Sequence, residues 1–99
     1  MYNEFYDWDD DKNKMNFQKH GISFNEAQTV FSDDFAIYLT DDKHSQNEER
    51  FIIIGKSARS NLLLVCYCER DKDNDIITRI ISARKATNPE ENWYYGGMI

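Results

Sequence analysis

The sequence predicts an α+β fold, a small antiparallel sheet with two N-terminal helices packed on it and a short C-terminal helix. Three observations predict it. Apolar runs with short polar connections crowd the second half of the chain, as in a meander of strands. Capped segments with helical periodicity occupy the first third and the C-terminal end. A length of 99 residues suits one core and not two, so residues 1–99 are read as a single domain.

Residues 4–8 alternate polar and aromatic side chains and predict a short first strand. The acidic run Asp9-Asp10-Asp11 then favours the positive end of a helix dipole, Lys19 and His20 fall in the last turn, and Gly21 offers a left-handed stop. A helix over residues 10–20 follows, with Met15 and Phe17 as its expected apolar face. Ser23 and Glu26 have capping-box spacing, and Phe24, Ala27, Val30 and Phe31 recur at helical intervals, predicting a second helix over 24–32.

Residues 35–40 read as a strand, and residues 41–49 as a polar connection. The runs 51–55 and 62–68 form an expected hairpin across the polar stretch 56–61, and a turn at 71–75 leads into a last strand over 76–83. Asn88 is the expected cap of the C-terminal helix, Pro89 suits its first turn, and Glu90 and Glu91 favour its dipole. Trp93, Tyr94 and Tyr95 are expected to staple this helix to the sheet, with Gly96-Gly97 ending it. The helices should lie mainly on one face.

Composition narrows the function classes. Cys66 and Cys68, two apart in a strand, are unsuited to a mutual disulfide and read as small core residues. With His20 and His44 remote in sequence and no ligand spacing, no metal site is expected, and no cofactor either, since no glycine-rich phosphate loop is present. No apolar run of about 18 residues exists, and the N-terminus lacks the basic start and apolar centre of a signal peptide. The expected compartment is the cytoplasm, with no membrane partner.

The net charge of −6 is unevenly spread: residues 1–49 carry −8, residues 50–85 carry +4, and residues 86–99 carry −2. The segment Arg79-Ile-Ile-Ser-Ala-Arg-Lys85 concentrates three cations in one strand. Such a split suggests a surface for a polyanion or an acidic partner, although solvated strand ends would look similar. In an unbroken strand Arg79 shares a face with Ile77 and Ile81, and Arg84 points to the other, so the two arginines should not form one clamp. Arg79 among isoleucines needs an edge, a carboxylate or a wet groove.

Metal-independent RNA cleavage requires a positioned 2′-hydroxyl, charge stabilisation at the phosphorane, and proton transfer at both ends. Arginine supplies a fixed fork for two phosphate oxygens, while histidine or glutamate can move protons. The candidates are His20, Glu49, Arg50, Arg79 and Arg84, with Lys56, Lys85, Tyr67 and Tyr94 as substrate contacts, the tyrosines by base stacking. Each has a plainer reading. His20 suits a helix C-terminus, Glu49 with Arg50 a surface ion pair, Lys85 a solvated strand end, and Tyr94 a packing residue.

Trp8-Asp9, Lys12, Asn16, Lys19-His20-Gly21, Ser23-Phe24, Glu26-Ala27 and Val30-Phe31 resemble the N-terminal signature of BrnT toxins. His44-Ser45, Glu48-Glu49-Arg50-Phe51, Ile54-Gly55, Glu69-Arg70 and residues 79–87 resemble the later motifs of that family in the same order. The resemblance implies a bacterial type II toxin–antitoxin system, with a RelE-like toxin that cleaves RNA and is neutralised by a BrnA antitoxin. It carries His20, Glu49, Arg50, Arg79 and Arg84 over as candidate catalytic positions. DNA would enter only through the antitoxin. Because phosphate binding favours cationic surfaces, the acidic balance raises an alternative, a catalytically weak or inactive toxin-like module that binds an antitoxin and modulates its DNA binding.

Overall fold

Five strands and three helices follow one another in the expected order in the computed structural model, which describes residues 5–96. Strands β1 (Tyr6–Asp7), β2 (Ile37–Thr40), β3 (Arg50–Lys56), β4 (Leu62–Lys72) and β5 (Asp75–Lys85) form one sheet in the order β1-β5-β4-β3-β2. All neighbours are antiparallel except β1, which runs parallel to β5 at the sheet edge. The β4–β5 hairpin is longer than the apolar runs suggest. Asp73 and Asn74, at φ 51° and 71°, make a two-residue turn of the kind that matches strand twist, so pairing continues to Lys72 and Asp75.

Helix α1 (Asp10–His20) begins and ends as its sequence predicts. The Asp9 carboxylate accepts hydrogen bonds from the Asp11 and Lys12 amides, and Gly21 closes the helix at φ 72°. Its buried face differs from expectation, since Met15 and Phe17 are exposed and the residue buried is Asn16. The Asn16 amide donates to the carbonyls of Ile22 and Ala83 at 2.9 and 2.8 Å, and its oxygen accepts from the Ala83 amide at 3.1 Å. A polar side chain thus docks α1 on β5 as a surrogate strand partner, which leaves the apolar side chains outside.

The second expected helix is α2 (Phe24–Gln28) continued by a 3₁₀ turn over Thr29–Ser32. Ser23 caps it through the Glu26 amide. Glu26 is bonded elsewhere, to the Ser57 hydroxyl and the Asn61 amide at 2.7 Å each, and so ties α2 to the β3–β4 turn. Phe24, Ala27 and Val30 pack with Trp8 and Ile22 on Ile53, Leu63, Val65, Tyr67, Ile80 and Ala83, making the core on one face of the sheet. Gly55 lies under this layer, where a Cβ would stand 2.9 Å from Val30 Cγ1.

Helix α3 (Asn88–Gly96) is capped by Thr87 and not by Asn88. The Thr87 amide donates to Glu90 Oε1 at 2.8 Å, and the Glu90 amide lies 3.5 Å from the Thr87 hydroxyl, a reciprocal box that pattern reading missed beside the more obvious Asn-Pro. Its Glu90 and Trp93 face a groove on the side of the sheet away from α1 and α2, so the three helices do not share one face. Gly97 of the expected stop lies outside the described residues.

Candidate functional site

One irregularity in β5 sets the geometry of the groove. Cys66 pairs with Ser82 and Tyr67 with Ile80, so Ile81 is an extra residue, a bulge. It absorbs the odd spacing between Arg79 and Arg84, and both now stand on the face opposite the helical core, beside Cys68 and Leu64 respectively. The expectation that they point to opposite faces is thereby corrected. Arg50 pairs with Cys68 from the other side and belongs to the same face. Three arginines from two strands therefore look out from the side that α1 and α2 leave open.

They do not act as one group. Arg79 turns to the sheet edge, where its guanidinium meets Asp7 at 3.1 Å, the carboxylate that a half-buried arginine among isoleucines requires. Arg50 and Arg84 line an open groove of about 720 Å³ whose other walls include Asp41, Lys43, His44, Glu90 and Trp93 over a floor of Leu39, Ile52, Leu64, Cys66, Ile81 and Ser82. Arg84 is held in a paired contact with Glu90, at 2.8 and 3.0 Å. These bonds raise the arginine further above its ordinary range, and the same guanidinium, aided by the Thr87 amide, holds the Glu90 carboxyl below its own.

Arg50 has fewer partners. Among the described residues its Nε is buried without a hydrogen-bond partner, and the nearest carboxylate, Glu48, is 3.9 Å from the guanidinium. His44, brought in by a 3₁₀ turn over Asp42–His44, places Nδ1 3.0 Å from Asp41 Oδ2. With a carboxylate as acceptor, Nδ1 carries the proton and Nε2 is left as the accepting nitrogen. Ser45 fastens this turn to β3, its hydroxyl donating to the Asp41 carbonyl at 2.6 Å and accepting from the Arg50 amide at 2.9 Å. The Cys66 thiol also faces Asp41, at 3.5 Å; burial first, and the carboxylate second, push it up to about 11, so it stays a thiol at neutral pH.

The other sequence candidates lie elsewhere. His20 lines a separate depression with Lys12 and Lys19, adjoining the groove only through Ile81 and Ser82. Glu49 is exposed and faces an acidic hollow with Glu48, Glu69 and Asp71. Lys56 stands 5.5 Å from the Tyr95 ring, outside the groove, and Lys85 is exposed at the end of β5. Tyr67 is a core side chain between Phe31 and Phe51, so it presents no face for base stacking. Tyr94 donates to Asp33 Oδ2 at 2.6 Å and does not line the groove. Burial first, and the Asp33 bond second, push its hydroxyl up to about 12.

Pattern reading missed Asp41, His44, Glu90 and Trp93. His44-Ser45 was visible only as a motif inside a polar connection, and nothing in the local sequence signals that this connection folds back on β3. Among the described residues no cluster of three or more His, Cys, Asp or Glu is placed to hold a metal ion, and no helix is long and apolar enough to cross a membrane.

Residues 8–90 match the model of a family described as the ribonuclease toxin, BrnT, of type II toxin–antitoxin systems. The crystal structure of the ribonuclease toxin BrnT of Brucella abortus is similar in fold, with a TM-score of 0.60 and 22% identity over 82% of this chain and 94% of that one. Comparison with curated proteins by sequence gives no match.

Proposed function

The chain belongs to the BrnT family of ribonuclease toxins of type II toxin–antitoxin systems, and from that premise we propose that it is a metal-independent endoribonuclease of the cytoplasm. In this reading it inhibits growth and is neutralised by a BrnA-like antitoxin, with DNA engaged only through that antitoxin. The observation that carries the proposal is the groove in which Arg50, Arg84 and the His44–Asp41 pair come together on the open face of the sheet. Its side chains match the steps of RNA transesterification. His44 Nε2 takes the proton of a ribose 2′-hydroxyl as its oxygen bonds to phosphorus, and Asp41 stabilises the imidazolium that results. Arg50 and Arg84 stabilise the charge on the phosphorane oxygens. The P–O5′ bond then breaks, and the leaving oxygen takes a proton from the imidazolium or from water.

The uneven charge of the chain is compatible with this chemistry, because the groove draws its cations from β3, β5 and the 3₁₀ turn while most of the acidic residues lie elsewhere. The test is cleavage of RNA by the purified protein in EDTA with mapping of the ends. Fragments with 2′,3′-cyclic phosphate and 5′-hydroxyl ends are expected. Strict dependence on added metal would sink the mechanism, and an Arg84→Ala variant as fast as wild type would remove that residue from the site.

A second reading is favoured by one contact, the two bonds that commit Arg84 to Glu90 and leave it less available to a phosphate. In it the chain is a catalytically weak or inactive module that binds an antitoxin and thereby alters its DNA binding. Normal growth on overexpression together with tight antitoxin binding supports this second reading, and growth arrest relieved by antitoxin supports the first.

A further inference from the structure

Trp93 is, among the described residues, the one large aromatic side chain in the wall of the groove, and it lies beyond residues 8–90, the part of the chain that matches the family. It is 39% exposed, whereas Trp8, the other tryptophan, is 4% exposed within the core. Its position is fixed by the anchoring of α3. One turn earlier on the helix Glu90 holds both the Thr87 cap and Arg84, and the next residue, Tyr94, is bonded to Asp33. Positions three apart on a helix are neighbours on its surface, so the indole lies beside the Arg84–Glu90 contact. Beneath it the floor is apolar, with Leu39, Ile52 and Leu64, while Lys43 and Arg50 supply positive charge along the same groove.

A half-exposed indole next to fixed cations, above an apolar floor, is complementary to a ligand with a flat π face and an anionic linkage a few ångströms away. A nucleotide unit has that form. Single-stranded RNA is recognised by bases stacked on aromatic rings and phosphates held by arginine, and stacking tolerates any base. We propose that Trp93 is the stacking platform for one nucleobase of a single-stranded RNA whose adjoining phosphate is held by Arg84 and Arg50. This rests on the ribonuclease reading and adds to it a base subsite. Trp93 thereby takes the place of Tyr67 and Tyr94, the stacking candidates of the sequence, neither of which lines the groove.

The experiment is a fluorescence titration of the full chain, because Trp93 is the solvent-accessible indole and Trp8 is shielded. The probe is a short RNA whose 2′-hydroxyls are methylated, so that it binds without being cut, compared with an abasic ribose-phosphate oligomer of equal charge. The expected result is quenching by the RNA and not by the abasic oligomer. Trp93→Ala is expected to weaken RNA binding about tenfold and abasic binding little, the loss of one base stack. Trp93→Phe should restore most of the affinity, and thermal melts establish that the variants are folded. Equal binding of the two probes, or RNA binding with no change in tryptophan emission, overturns the proposal. Continued cleavage of unmodified RNA would then leave the ribonuclease reading standing. Failure of any oligonucleotide to bind, with an antitoxin filling the groove instead, overturns both.

Discussion

Arg84 and Glu90 meet through two hydrogen bonds of 2.8 and 3.0 Å, one residue closing β5 and the other opening α3. The carboxylate occupies the fork of the guanidinium in the way a phosphate would, and Thr87 holds it there from behind. Glu90→Gln is therefore expected to lower the KM for RNA severalfold by freeing Arg84, while costing about 1 kcal/mol of stability through a weaker cap and a lost ion pair. Steady-state cleavage and thermal denaturation measure the two effects separately. An unchanged KM would mean that Glu90 and substrate do not compete.

Arg50 and Arg79 should respond in opposite ways. Arg50 has a buried Nε without a partner and a distant carboxylate, so Arg50→Ala is expected to reduce cleavage by at least about 100-fold with little loss of stability. Arg79→Ala breaks the Asp7 contact and should lower stability by about 1 kcal/mol with cleavage nearly intact. Equal losses of activity in the two variants would contradict the assignment of Arg79 to structure.

His44 and Asp41 are expected to act as a pair. His44→Ala should lower kcat about 100-fold or more, because the group that takes the 2′-hydroxyl proton is lost. Asp41→Asn should lower it less, since the imidazole remains and only the partner of its Nδ1 is weakened. A variant lacking His44 that cleaves at the wild-type rate would assign the base elsewhere.

Acid should loosen α3 before it unfolds the core. Burial raises the Asp33 pKa, but hydrogen bonds from the Lys56 amide, the Tyr94 hydroxyl and the Phe35 amide outweigh it and hold the carboxyl below its ordinary 3.8. Glu90 is held below its ordinary 4.5 by Arg84. Both are depressed carboxyls, so their contribution is complete above those values and is lost as pH falls through the lower folded ones. Tyr94→Phe is expected to lower Tm at neutral pH, by about 1 kcal/mol in stability, and the gap from wild type should close as pH falls below 3.8. Melting curves across that range test it, and a constant gap would exclude the linkage.

Asn16 is expected to be far more sensitive than its apolar neighbours. Asn16→Leu leaves the Ala83 amide and two carbonyls without their partner and should cost about 2–4 kcal/mol, whereas Met15→Ala at an exposed position should stay within about 0.5 kcal/mol. Urea denaturation of both variants supplies the comparison.

The contrast between Asn16 and Met15 also marks the limit of what pattern reveals. The acidic start of α1 and its Gly21 stop were legible because they depend on the residues themselves and the nearest amides. The strands were legible because continuous apolar runs are long enough to tell from loops. The buried face of α1 was not, since it is set by a buried backbone segment of β5 that lies 67 residues away. Arg50 and Arg84 could be proposed from charge alone, but their convergence depends on the bulge at Ile81, and neither Ile81 nor its neighbours carry a glycine or proline to announce it. His44 and Trp93 were hidden for a related reason: a polar loop and a terminal aromatic acquire meaning only when the chain folds them against strands remote in sequence.

The bulge has a consequence for how this strand tolerates change. An extra residue lets β5 carry two period-two patterns that are out of step, one placing Arg79 beside Asp7 and the other placing Arg84 in the groove. Loss of either isoleucine of the Ile80-Ile81 pair leaves the same chain and would bring the two halves into step with every other pairing kept, whereas a residue gained between Arg79 and Arg84 would have to enlarge the bulge or force one half to choose between its pairing and its face. The bulge is thus the place at which this strand can shorten by one without turning the groove inside out.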